Sequence, residues 1–445
     1  MGSTLDPIAV RTAPTAPDVP RSSFKRVLTG SMAGAVLEWY DFAIYGILAA
    51  TVLGPLFFPG SDGITKLLLA LATQGLGFIA RPLGGIVFGH LGDRFGRKPM
   101  LVITFVMLGT ATASIGLLPT YEQIGIWATV LLVALRMIQG FALGGEFGAA
   151  VLLVSEYGEP KRRGFWASWP QAGAPSGTVL AAVVVSALVF LLPADSFDAW
   201  GWRIAFLFAI PLLIIGFWIR HGVEESPVFR AAQASAAGRT ESRSSIVEAL
   251  SRPRPVLLGI GMRLGENIAF YVYTVFVIAY ATTYHGFARG EVILAVTFAS
   301  VFQFVGMIGG GRWSDRVGRR IAMLVPAVVL VVWAPVFFWL VQMQSVPLLW
   351  VGVCVGAFFH GALAGPEAAW ITELFPTRYR YAGSSLVFQG SSIIAGAPAP
   401  FIAVWLIDRF GVGTVIAYLV VTMMITVVAV LSSRETKGID LDRIE

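Results

Sequence analysis

Residues 89–98 read Gly89-His90-Leu91-Gly92-Asp93-Arg94-Phe95-Gly96-Arg97-Lys98, and residues 311–320 read Gly311-Arg312-Trp313-Ser314-Asp315-Arg316-Val317-Gly318-Arg319-Arg320. The two stretches lie 222 positions apart and share Gly, Asp, Arg, Gly, Arg and a closing base in register. Two further marks repeat in the same order. Glu156 and Arg163 stand seven apart, as do Glu373 and Arg380, at an offset of 217. Glu225-Ser226-Pro227 is answered by Glu435-Thr436-Lys437. Three ordered matches at a nearly constant offset argue for a duplicated chain.

Each decapeptide follows a long apolar run, and composition says what such runs are. The 445 residues are 56% hydrophobic and only 13% charged, with a mean hydropathy of +0.76. Soluble domains carry about 25% charge, so half that amount cannot clothe a globule of this length. A soluble enzyme, a disordered chain and a nucleic-acid binder are excluded, despite a pI near 9.5. A spanning helix needs about 20 mainly apolar residues. Twelve stretches qualify, near 28–57, 67–92, 99–119, 124–155, 165–192, 202–220, 254–284, 291–313, 321–342, 346–372, 381–407 and 412–432. The expected fold is an all-α polytopic membrane protein, with twelve transmembrane helices in two six-helix bundles. The expected organisation is a disordered tail over 1–26, a first bundle over 27–221, a polar linker over 222–253, a second bundle over 254–433 and a tail over 434–445.

The bases set the orientation. Of 32 Lys and Arg, 24 fall on the side that carries both termini, four on the other side, and four inside spans. The positive-inside rule then places both termini in the cytoplasm. The expected setting is a multi-pass cell inner membrane, with the lipid bilayer as partner and the chain a monomer. The single cysteine, Cys354, permits no intramolecular disulfide or cysteine metal cluster. There is no Walker loop, HExxH or GxSxG pattern, so neither enzyme chemistry nor ATP-driven transport is expected. No metal or cofactor is called for, and energy must come from an ion gradient.

GHLGDRFGRK resembles the signature loop of the major facilitator superfamily, and Arg136-Met137-Ile138-Gln139-Gly140 is similar to the span-four motif of its proton-coupled members. Further strings resemble the metabolite:proton symporter family within it: Glu38-Trp39-Tyr40-Asp41-Phe42, Arg81-Pro82-Leu83-Gly84-Gly85, Gly144-Gly145-Glu146, Trp169-Pro170-Gln171, VEESPVF and ELFPTRYRYAG. The resemblance covers roughly residues 30–440 and implies the major facilitator fold with alternating access. Members carry shikimate, oxoglutarate, citrate, dicarboxylates, or proline and betaines.

Charges at membrane depth are the candidate site, because each costs about 2.5–3.5 kcal/mol to insert and needs a partner or a cavity. Glu38 and Asp41 share one face of span one and suit proton binding, with Asp41 first. A structural salt bridge to Arg136 or Arg81 is the plainer reading. The resemblance links Arg136 to the proton site. Arg81 and Arg263, one per half and each near the midplane, suit a substrate carboxylate through their bidentate forks. Glu266, one turn from Arg263, offers simple neutralisation instead, with Asn267 beside it. Gln171, Gln389, Tyr40, Tyr271 and His360 are further candidate cavity groups. Asp93, Arg97, Glu156, Arg163, Asp315, Arg319, Glu373, Arg380 and Glu146 form an expected cytoplasmic gate. That reading draws mainly on the resemblance, with topological charge and loop stability as the alternative.

The expected function is proton-coupled import of a small carboxylate-bearing metabolite, shikimate-like or a dicarboxylate. Proline/betaine symport is the first alternative. A proton-driven drug exporter is another, but Thr178 stands where the exporter motif wants proline.

Overall fold

The computed structural model describes residues 21–60, 63–95, 97–221, 245–376, 379–396 and 398–439. Among the described residues twelve long helical segments follow one another. They are α1 (Arg21–Leu48, continued to Phe57), α2 (Gly63–Phe95), α3 (Arg97–Leu117), α4 (Ile126–Tyr157), α5 (Arg163–Leu191) and α6 (Phe197–His221). The second half repeats the set as α7 (Pro253–Tyr284), α8 (Arg289–Val317), α9 (Arg319–Gln342), α10 (Val346–Glu373), α11 (Arg380–Phe410) and α12 (Val412–Ser432). Ten of the twelve, α3 to α12, each meet the length and hydropathy of a membrane crossing. The other two carry charge within their spans: α1 holds Glu38 and Asp41, and α2 holds Arg81 and Asp93.

α1 to α6 pack as one bundle and α7 to α12 as another. The halves meet where α8 and α10 lie on α5, and where α11 lies on α2 and α4. The first core centres on Tyr45, Phe57, Trp202 and Phe206, and the second on Tyr273, Phe276, Phe337 and Phe338. The expected tail over 1–26 is shorter than that reading. Helix α1 already begins at Arg21, and Phe24 packs edge-on against Trp166 at 4.8 Å, which anchors the entry of the chain. Residues 1–20, 222–244 and 440–445, which hold most of the expected tails and linker, lie outside the described residues. Within the linker, Ser245–Ser251 forms a short helix.

Glycine sets how closely the central helices approach. A Cβ on Gly84, Gly140 or Gly144 would collide with backbone carbonyls of the facing helix, from Phe141, Gly77 and Arg81 respectively. The second half does the same between α8 and α10. There Gly306, Gly310, Gly361 and Gly365 face the carbonyls of Phe358, Ala362, Gln303 and Met307. This is the small-residue packing of membrane helices, which gain no hydrophobic drive from lipid and so rely on close contact. The approach places functional groups as well, since Arg81 backs onto Gly144 and Gln303 onto Gly361.

The helices also break in useful places. Pro175 has no N–H for the Gln171 carbonyl, and α5 is interrupted at Ala172, between Arg163–Gln171 and Gly173–Leu191. α1 and α7 widen into π turns at Ala49–Leu53 and Val272–Phe276, 223 positions apart. π turns often mark functional sites. Gly361→Ala is expected to lower thermal stability by about 1–3 kcal/mol through overpacking. Gly290→Ala, which meets nothing within 4 Å, should leave the melting temperature unchanged. Equal melting curves for the two variants would refute this account of the packing.

Candidate functional site

Between the halves, at the depth of Arg81 and Arg263, lies a cavity of about 70 Å³, counted as space open to the centre of a water molecule. One water needs about 10–15 Å³ on that measure, so there is room for roughly five, or for a small metabolite. Glu38, Trp39, Arg81 and Gln171 wall it from the first half. Arg263, Glu266, Asn267, Tyr271, His360 and Gln389 wall it from the second. Eight of the nine expected substrate ligands therefore share one cavity.

The ninth, Tyr40, is placed elsewhere. Its hydroxyl donates to the Ala205 carbonyl at 2.5 Å and its ring lies by Phe208. Position 40 sits on the face of α1 turned to α6, while its neighbour Trp39 faces the cavity.

The first half separates the two acids of α1. Glu38 lies in the cavity wall, 3.5 Å from Arg81. The Arg81 guanidinium stacks 4.3 Å from the Phe78 ring, and its Nε has no hydrogen-bond partner. Asp41 is buried behind the cavity. Its carboxylate accepts from Arg136 Nη1 at 2.7 Å and from Gln139 Nε2 at 2.8 Å, and the Gln139 amide nitrogen also reaches Thr112 Oγ1 at 2.8 Å. Arg136 lies 3.7 Å over the Tyr45 ring, with Nε and Nη2 unpartnered. The bridge ties α1 to α4 and leaves a guanidinium whose neutrality depends on one carboxylate.

In the second half, Arg263 donates from Nη1 to Glu367 at 2.8 Å and from Nε to Ser391 Oγ at 3.0 Å. Its Nη2 stands 3.6 Å from Glu266. Glu266 also meets His360 Nε2 at 3.0 Å, and His360 Nδ1 meets the Gln303 amide nitrogen at 2.8 Å. The neutraliser expected from the sequence, Glu266, is thus joined by a closer one, Glu367. Asn267 donates to the Arg263 carbonyl and Gln389 to the Gly144 carbonyl across the halves.

Residues 27–249 match the family described as "Sugar (and other) transporter", and residues 263–441 match "Major Facilitator Superfamily". The shikimate transporter of Escherichia coli K12 is 36% identical over 97% of this chain and all of its own length. The chain belongs to the major facilitator superfamily. The proline/betaine transporter of the same organism is 36% identical over 86% of this chain and 78% of its own. The inner membrane metabolite transport protein YhjE of that organism is 36% identical over 94% and 96%. Among solved structures, the proton:xylose symporter XylE bound to 6-bromo-6-deoxy-D-glucose superposes with a TM-score of 0.75 at 17% identity, covering 95% of this chain and 98% of that one. This likeness supports the two-bundle fold, and membership makes the protein a membrane transporter and not an enzyme.

At the end where α5 begins and α12 finishes, buried ion pairs bridge the halves. Glu373 is fully buried and accepts from Arg163 at 3.3 Å, from Arg319 at 3.1 and 3.2 Å, and from Thr436. Asp315 accepts the backbone N–H groups of Gly164 and Phe165 at 2.8 and 2.9 Å, which caps the N-terminus of α5 from the other half, and takes Arg319 at 2.8 Å. A carboxylate there also meets the positive end of the helix dipole. Arg380 donates to the Phe375 carbonyl of its own loop. The side chains of Asp93, Arg97, Glu146 and Glu156 lie outside the described ones. On the other side of the cavity the halves touch through aromatic rings, with Trp39 5.0 Å from Phe270 and Phe42 6.1 Å from Tyr271.

Sequence reasoning assigned the post-α12 segment to a tail, yet it is woven into this network. Glu435 accepts the N–H groups of Arg319 and Arg320 at 2.9 Å each, capping α9, and Arg163 reaches the Ile439 carbonyl. The signal was present in the repeated Glu225 and Glu435 strings. Ser391, Gln303 and Thr112 left none, being common residues in helical runs.

Two tests follow from the network. Glu373→Gln leaves Arg163 and Arg319 without their buried acid, and breaking such a pair costs about 3–5 kcal/mol. Spin labels at exposed positions Lys161 and Ile321 should then report a longer, broader distance than in the parent. An unaltered distribution would show that the network does not hold the halves together. Burial of Glu435 opposes its charge, but four backbone N–H groups outweigh that and hold its carboxyl below the usual glutamate range. A lowered folded value means the stabilisation is full above the unfolded value and lost as pH falls through the folded one. The melting difference between the parent and Glu435→Gln should be full at neutral pH and shrink in acid below the glutamate range, whereas a constant difference contradicts the cap.

Proposed function

We propose that this transporter carries a small carboxylate-bearing metabolite, shikimate-like or a dicarboxylate, into the cell together with protons. The observation that carries the reading is the cavity wall itself, where a guanidinium from each half, Arg81 and Arg263, faces one small shared space. A carboxylate held between them joins the halves, which is how binding drives rocking about a central site. Arg81 is the readier of the two, because its acid partner stands 3.5 Å off and its Nε is unpartnered.

Asp41 is the proposed proton carrier. A proton on its carboxyl cancels the charge that holds Arg136, and so loosens the tie between α1 and α4. Glu38, three residues away on the same face and exposed to the cavity, supplies the entry for that proton. The terminal network, with Arg163, Asp315, Arg319 and Glu373 at its centre, is the proposed cytoplasmic gate. The 24 bases on that side support cytoplasmic termini. The 36% identity to an inner membrane protein of Escherichia coli supports the same membrane. The cavity is complete within one chain, which favours a monomer.

A second reading has an observation of its own. Trp39, Phe270 and Tyr271 stand beside Glu38 and Glu266 in the same wall, and aromatic faces with carboxylates suit a quaternary ammonium. A proline- or betaine-like zwitterion is the alternative cargo.

Uptake into vesicles decides between these readings, with labelled shikimate and labelled betaine as probes. An inward gradient of one pH unit supports about tenfold accumulation per coupled proton. Shikimate accumulation is expected, abolished by a protonophore, and Asp41→Asn should lose accumulation while keeping exchange. Betaine uptake in place of shikimate selects the second reading, and Asp41→Asn that accumulates like the parent removes Asp41 from coupling.

A further inference from the structure

The second half of the cavity holds more acid than base. Among the described residues Arg263 is its one guanidinium, and Glu266 and Glu367 both lean on it, at 3.6 and 2.8 Å. His360 joins the cluster through both ring nitrogens, with the Gln303 amide 2.8 Å from Nδ1 and Glu266 3.0 Å from Nε2. Two carboxylates thus share one permanent cation at membrane depth, where an uncompensated charge is costly. The two acids are not equivalent. Glu266 ion-pairs with both His360 and Arg263, although its Oε2 makes no hydrogen bond, whereas Glu367 is fully buried, touches Arg263 through Oε2 alone, and has no partner at Oε1.

We propose that Glu367 is a second proton-binding site, and that its protonation hands Arg263 to the carboxylate of the substrate. A proton from cavity water binds the Glu367 carboxylate and forms a neutral carboxyl. That group holds Arg263 Nη1 only as a neutral acceptor, so an incoming carboxylate displaces it and pairs with the guanidinium. When the carboxylate leaves on the inner side, the proton passes to water there, the ionised Glu367 recovers Arg263, and it takes a fresh proton from water once the empty cavity faces outward, so the resting substrate-free protein holds it protonated. One proton and one negative charge thus cross together through this cluster, in addition to the proton on Asp41.

Among the described residues, the charged and titratable neighbours of this site are few. α7 presents Arg263 and Glu266. α10 itself carries His360 about two turns away on one side, and Glu373 about two turns away on the other, already committed to Arg163 and Arg319. α11 presents Ser391 and Gln389, and α8 presents Gln303. Where α4 and α5 reach this part of α10, they do so through Val151 and Ala167 against Ala368 and Ala369.

The handover rests on the carboxylate reading of the cavity, but the proton on Glu367 does not, and the test separates them. Infrared spectra of substrate-free protein in nanodiscs at neutral pH should contain the C=O stretch of a protonated carboxyl. That band should vanish in Glu367→Gln, shift in Glu367→Asp, and persist in Asp41→Asn. A band unaffected by Glu367→Gln and Glu367→Asp overturns the proposal, whatever the cargo. The second measurement combines current and labelled shikimate uptake in proteoliposomes. The charge moved per molecule should fall by one elementary charge in Glu367→Gln. An unchanged ratio refutes the handover even where the band is lost. Absence of shikimate uptake in the parent counts against the carboxylate reading and leaves the infrared result to judge Glu367.

Discussion

An ionised side chain in the middle of a bilayer has no water to lean on, and insertion costs it about 2.5–3.5 kcal/mol even on the lenient scales. The interior of this transporter is organised by that cost. Asp41 lies on Arg136, Glu38 near Arg81, and Glu266 and Glu367 on Arg263. Each pair joins two different helices or two turns of one, so each is also a mechanical tie. A proton or a carboxylate changes the charge of one partner, and the tie it belonged to loosens. Neutralisation is therefore the natural signal here, and it needs no appended domain to read it.

Such pairs form only if helices come close enough for short reach, and glycine permits that. The α2–α4 and α8–α10 contacts put backbone on backbone, which brings short polar side chains on facing helices within reach of one another. Gln303 meets His360 because Gly361 lets the two helices touch at that level. Packing and chemistry are here one constraint, since a bulkier residue would move the ligands as it moved the helix.

Much of this was legible in the sequence. The fold followed from hydropathy and from the repeat at 222 residues, because lipid allows a spanning chain few alternatives to helices. The cavity residues were legible for the same reason: polar groups in apolar runs are too costly to be idle. What stayed hidden was pairing. Glu38 and Asp41 are three residues apart and read as one proton site, yet they belong to different pairs, since neighbours on a helix face diverge once each finds an arginine on another helix. Glu367 shows why: depth along one helix says nothing about which side chain of α7 lies opposite. Tyr40 read as a cavity aromatic, and its rotation about α1 put it against α6.

The terminal network and the cavity are linked by α10. Glu373 in the terminal network, Glu367 against Arg263, and His360 in the cavity wall all project from this helix, within about 20 Å of rise. Pro366 sits beside Glu367 and cannot donate to the Ala362 carbonyl, so the helix is softest between its gate end and its cavity end. A shift at Arg263 bears on that weak point through Glu367. The Glu373 end, held by two arginines and a threonine from three other segments, can follow only if several bonds yield together. Exposed pairs are each worth about 0–1 kcal/mol, but these are buried and share partners. On the proposed reading release is therefore cooperative: the network resists the small pull of an empty cavity and yields when proton and substrate act on α10 at once.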